Sequence, residues 1–148
     1  MSAENKELSR RFTELFSTGD EDAARDVLSP DIVFHGTSSD GEISGIDGML
    51  RFLSGYRRAF PGAHSTVEGQ VAEGDMVVTR WRAVGTHEGD LGPIPATGRS
   101  FAMDGITIER IAGRKIVEVW VARDELGLLA QLGAVPELAA SDAYASEL

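Results

Sequence analysis

Apolar positions recur at helical spacing early in the chain and at strand spacing later. Leu8, Phe12, Leu15 and Phe16 fall on one helical face and predict a helix from Ala3 to Ser17. Gly19-Asp20 ends it, and Asp20 is placed to cap a short second helix, Glu21 to Leu28, with Ala23, Ala24, Val27 and Leu28 as its apolar stripe. Ser29-Pro30 stops that helix, and Ile32 to His35 reads as a short strand. Glycines and serines break every period between Gly36 and Gly48, which predicts a loop. Met49, Leu50, Leu53 and Tyr56 then mark a third helix, Asp47 to Ala59, closed by Pro61-Gly62.

From there the period is two. His64 to Val71, Met76 to Val84, Phe101 to Ile111 and Lys115 to Arg123 read as strands, the last two joined by a tight turn at Gly113-Arg114. A short helix, Glu125 to Leu132, follows. Residues 1–133 form one domain and residues 134–148 a tail. Helices followed by consecutive strands predict an α+β fold, with helices packed on one face of a curved antiparallel sheet. That cone-shaped arrangement encloses an apolar pocket suited to a small flat molecule. The other sheet face needs cover, and a second copy of the chain is the simplest cover.

The 148 residues carry 24 acidic against 14 basic side chains. A net charge of −10 disfavours nucleic-acid or anionic-membrane partners, which need clustered Lys and Arg. The absence of cysteine excludes disulfides, thiolate catalysis and thiolate metal sites. No apolar run suits a bilayer span or a signal peptide, which predicts a cytoplasmic protein. His35, His64 and His87 share no ligand-like spacing, so no metal site is expected. The stretch from Gly85 to Gly98 has neither the Lys-Ser/Thr ending of a phosphate loop nor a strand-to-helix context.

The candidate chemistry is therefore acid–base. Asp104 interrupts an apolar strand; a bulge at Gly105 would turn its side chain inward. Asp124 closes the last strand, either as an acid at the pocket mouth or as a helix cap. His87 opens the glycine-rich loop and could serve as acid, base or hydrogen-bond donor; His35 is similar. Tyr56 and Phe60 are expected pocket wall, and Arg99 a partner for an anionic oxygen. Trp81 and Trp120 read as core or dimer-face residues, with Trp81 also a candidate for the pocket. Arg80 and Arg82 could pair with Glu109 or Glu118 across strands.

The blocks YRRAFPG, VAEGDMVVTRW, GTHEGDLGPIPATGRS, GRKIVEVW and DELGLLAQLG, in this order, resemble the SnoaL-like polyketide cyclase family, within the nuclear-transport-factor-2-like fold. The resemblance runs from about Lys6 to Gly133. It implies a cone-shaped α+β barrel, a dimer or tetramer, and cofactor-free chemistry on an aromatic polyketide. In the family's aldol cyclases an Asp precedes the D-x-x-G block by three residues, with a companion His on the preceding strand. The matching positions here are Val121 and Thr107, and a valine cannot accept a proton. The family also contains anthracycline-pathway members that resemble hydroxylases without a bound metal or flavin. These imply reaction of a carbanion-like ring with molecular oxygen, or with reduced flavin from a partner reductase. The expectation is a hydroxylase of polycyclic aromatic polyketides, with Asp104 or Asp124 as base and His87 as donor. The alternatives are an aldol cyclase and a non-catalytic aromatic-ligand carrier, with epoxide hydrolysis or isomerisation as a weaker third.

Overall fold

A computed structural model describes residues 2–37 and 39–135. The elements are α1 (Ser2–Thr18), α2 (Glu21–Val27), β1 (Leu28–His35), β2 (Glu42–Ser44), α3 (Ile46–Ala59), β3 (His64–Glu73), β4 (Met76–Thr86), β5 (Ser100–Ala112), β6 (Lys115–Arg123) and α4 (Glu125–Gln131). Among the described residues the fold is α+β: four helices and a six-stranded curved sheet in the order β2-β1-β6-β5-β4-β3. The tail expected beyond the domain lies, from residue 136 onward, outside the described residues.

The helical stripes pack as their spacing implies. Phe12 and Leu15 of α1, Val27 of α2 and Met49 and Leu53 of α3 are all buried. Asp20 caps α2 by accepting from the Ala23 N–H at 3.1 Å. The β5–β6 hairpin turns through Gly113 and Arg114, both with positive φ (56° and 61°), as a two-residue primed turn requires.

Two features depart from expectation. First, β1 begins at Leu28 and runs through Ser29-Pro30. Its register with β6 shifts between Leu28 and Val33, so the missing proline N–H falls where the ladder is already irregular. Second, the sheet is mixed: β1 pairs with β6 in parallel, while every other pairing is antiparallel. Between them, three residues of the expected loop form the edge strand β2.

Strand parity decides which side chains face the helices. On β5 Phe101, Met103, Thr107, Glu109 and Ile111 are buried. Ala102, Asp104 and Ile106 point the other way. One buried cluster gathers Phe12, Leu15, Ile32, Phe34, Val77 and Val119. A second gathers Ala59, Phe60, Phe101, Met103, Leu128 and Leu132.

Candidate active site

A cavity of about 540 Å³ draws its lining from both clusters. Seven aromatic side chains contribute to its wall. Phe12 and Phe16 come from α1, Phe34 from β1, Phe52 and Tyr56 from α3, Phe60 from the end of α3, and Trp81 from β4. These rings brace one another. Phe16 meets Tyr56 edge-on at 5.5 Å, Tyr56 meets Phe60 at 5.3 Å, and Phe34 meets Phe52 at 5.2 Å. Such a girdle offers π-faces and edges to a planar guest at little entropic cost, because the rings are already held.

Polar and charged groups line it as well, among them Thr13, Arg51, Arg58 and Ser65. Thr107 and Val121 face each other across the β5–β6 ladder, and both line the cavity. Tyr56 lines it too; burial pushes its phenol pKa up, opposed by a hydrogen bond with Ser65, so it remains a neutral hydroxyl. At the mouth, Arg123 at the end of β6 grips Asp40 from the loop after β1. Its Nη1 lies 2.6 Å from Asp40 Oδ2 and its Nη2 2.9 Å from Oδ1. Both side chains are largely buried, so this two-pronged pair is well shielded from solvent. Glu125 joins the cluster through the Ser39 hydroxyl and lies 3.8 Å from Arg123 Nη2. Asp90 to Ile94, from the glycine-rich loop, close the rim.

Of the residues singled out from sequence, Tyr56, Phe60, Trp81, Thr107 and Val121 line the cavity. Asp104, Asp124, His87, His35 and Arg99 do not. Asp104 was expected to turn inward at a bulge, but the β4–β5 register is regular through Gly105. Asp104 therefore stays on the outer face, 68% exposed, and accepts from Arg82 Nη1 at 3.1 Å. Asp124 caps α4, its Oδ1 accepting from the Gly127 N–H at 3.0 Å.

His87 is fully buried behind Phe60, 5.6 Å between ring centres. Its Nδ1 accepts from the Thr97 N–H at 3.2 Å, which pins the base of the glycine-rich loop. His35, one residue after the inward Phe34, stacks on Trp120 of the outer face. Its Nε2 lies 2.7 Å from Glu118 Oε2, and this hydrogen bond chiefly holds the Glu118 pKa down. Arg99 is exposed and reaches toward the Gln131 carbonyl at the end of α4. Arg82 pairs with Asp104, and Glu118 with Arg110 and His35, rather than as expected. Glu109 is buried beneath Thr107 on the inner face.

Sequence reasoning missed the Asp40–Arg123 pair, Glu125 and the phenylalanines of α1, β1 and α3. Phe12 and Phe16 read as the apolar face of a helix, whose spacing cannot tell a packed interior from a cavity wall; Phe34 and Phe52 were not singled out.

The architecture and this apolar chamber meet in a known family: the SnoaL-like polyketide cyclase family matches residues 6–132. The chain belongs to it. The chain is 30% identical over 129 residues to aklanonic acid methyl ester cyclase DauD of Streptomyces sp. (strain C5), covering 86% of this chain and 80% of that protein. It is similar to the crystal structure of AclR, a candidate hydroxylase from Streptomyces galilaeus. That match has a TM-score of 0.83, 28% identity, and coverage of 99% of this chain and 92% of the other. It is also similar to IdmH, a candidate polyketide cyclase from Streptomyces antibioticus, with a TM-score of 0.77, 32% identity, and coverage of 87% and 98%. Within this SnoaL-like chain, the paired positions Thr107 and Val121 are where the sequence resemblance puts the cyclases' His and Asp. Both positions face the cavity, and neither carries that side chain. Among the described residues no helix is long and apolar enough to cross a membrane.

Proposed function

We propose that this SnoaL-like chain is a tailoring enzyme that hydroxylates a polycyclic aromatic polyketide of the anthracycline type. The observation that carries this reading is Val121 beside Thr107 in an otherwise intact aromatic cavity. The chamber suits a planar polyketide, but the strand position expected to hold the aldol base is a hydrocarbon. Similarity to AclR agrees with a hydroxylase. Similarity to DauD favours the second reading, ring closure by an aldol step from a different base.

The rings of the guest lie against Phe52, Tyr56, Phe60 and Trp81, with polar substituents toward Asp40 and Arg123 at the mouth. Tyr56, a neutral hydroxyl, donates to a carbonyl or quinone oxygen and so lowers the cost of placing negative charge on the ring. Removing a phenolic proton then makes the neighbouring ring carbon nucleophilic. The co-reactant is molecular oxygen. Reduced flavin, supplied by a partner reductase, provides the two electrons that leave the second oxygen atom as water. On the outer face Val78, Val84 and Ile106 are partly exposed. A second copy covering them gives a homodimer, or a homotetramer built on it.

The test is to incubate the protein, in air with reduced flavin, with tricyclic and tetracyclic anthracycline precursors and to weigh the products. A gain of one oxygen atom supports hydroxylation. A product of unchanged mass with one more ring supports the aldol reading, and tight binding without any product supports a carrier.

A further inference from the structure

Glu109 is a carboxylate that takes no part in the steps proposed for the cavity. It sits on the inner face of β5 and has no solvent exposure. Its Oε1 accepts from Ser9 Oγ of α1 at 2.9 Å and from Thr107 Oγ1 at 3.0 Å. Its Oε2 has no hydrogen-bond partner among the described residues. Ser9 Oγ lies 2.5 Å from Thr79 Oγ1, which accepts from Gln70 Nε2 at 3.1 Å. The groups facing Glu109 are thus Ser9 from α1, Thr79 and Val77 from β4 (Val77 being the ladder partner of Glu109), Thr107 from its own strand and Val119 from β6, with Gln70 of β3 one bond further out. Every one is uncharged.

A carboxylate buried in this way is costly, and a glutamine would keep the same acceptor at lower cost. Costs of this kind concentrate where a group must gain and lose a proton. Burial, only partly offset by the two hydroxyls, pushes its pKa up to about 7. The link to the cavity is Thr107, whose hydroxyl donates to Glu109 while the residue itself forms part of the wall. Asp40, by contrast, is held in the fork of Arg123.

We propose that Thr107 and Glu109 form a proton relay that deprotonates a phenolic hydroxyl of the bound polyketide. The phenol O–H bond breaks and its proton goes to Thr107 Oγ1, while the proton already on Thr107 goes to Glu109 Oε1. Glu109 ends as the neutral acid and the guest as a phenolate; the negative charge has moved and no electron is exchanged. Thr107 touches the substrate. Glu109 acts through it and is a positioning and proton-holding residue. The relay rests on the function proposed above and names the base which that function needs.

The experiment uses the polyketide that the wild type converts and measures kcat against pH, affinity by quenching of tryptophan fluorescence, and melting temperature. Wild type is expected to show an acid limb in kcat near pH 7. Glu109→Gln is expected to lose kcat by about a hundredfold and to lose the limb, with affinity unchanged. Thr107→Val, which needs no change in the buried network's charge, is expected to lose kcat similarly, and Thr107→Ser to restore most of it. A Glu109→Gln or Thr107→Val enzyme with wild-type kcat overturns the relay and leaves the proposed function standing. A wild type that binds every polyketide and converts none overturns the proposed function and the relay together.

Discussion

The indole of Trp81 lies across Gly105, its directly opposed residue in the β4–β5 ladder. A Cβ at position 105 would overlap the six-membered ring, so glycine is what lets a cavity-wall indole lie down on the sheet. Gly105→Ala must lift the indole into the chamber. The expected result is a loss of affinity for planar aromatic ligands of about tenfold, with a stability cost of about 1–3 kcal/mol from overpacking. Ligand titration and thermal melts on the same variant check both.

Gly105 also shows where the sequence was legible and where it was not. The helical stripes and the period-two runs located nearly every element, because burial of one face imposes those periods. A glycine in a strand suggests either a bulge or a close approach, and periodicity cannot choose between them. Here it is a close approach, so parity runs unbroken and carries Asp104 outward and Glu109 inward. Read strictly, that alternation already puts Glu109 on the face of Met103 and Thr107. The Asp40–Arg123 pair joins a loop to a strand end 83 positions away, and no spacing signals such a contact. The parallel pairing of β1 with β6 was hidden for a similar reason: Ile32 to His35 reads as a strand, but its own pattern does not say which strand it joins or in which direction.

Asp104 and Asp124 are the acids a reader of the sequence would remove first. Asp104 forms an exposed pair with Arg82, so Asp104→Ala should change stability by less than about 1 kcal/mol and leave turnover intact. Asp124→Ala should cost about 1 kcal/mol through loss of the α4 cap. Melting curves and rates of the two variants separate these effects; an Asp104→Ala enzyme with abolished turnover would contradict the outward placement.

Glu109 makes stability depend on pH in an unusual direction. Its folded pKa, about 7, lies above the ordinary carboxylate value of 4.5, so the folded state holds its proton more tightly than the unfolded state. Stability from this group is fully present below the unfolded value, falls as pH rises from there, and is lost above about 7. The span corresponds to about 3 kcal/mol. Glu109→Gln should remove this slope and be more stable than wild type at alkaline pH. Denaturant unfolding of both proteins across this range measures it.

Arg123 is held largely by Asp40. Asp40→Asn leaves a largely buried guanidinium with only the more distant Glu125 as counter-charge, at an expected cost of about 3 kcal/mol. Replacing both residues with apolar side chains of similar size should cost less than the single change. A double-mutant cycle with the same apolar substitution at each position, read by chemical denaturation, checks this, and a double cost equal to the sum of the two single costs would show that the pair is not coupled.

The central claim is that a planar aromatic polyketide occupies the chamber with an ionisable oxygen at Thr107. A crystal structure with a bound hydroxylated tricyclic polyketide tests it most directly. The expected density has the rings between Trp81 and the α3 aromatics and a phenolic oxygen within hydrogen-bond distance of Thr107 Oγ1. A guest bound elsewhere on the molecule, or one inside the chamber with only ring carbons near Thr107, would contradict it.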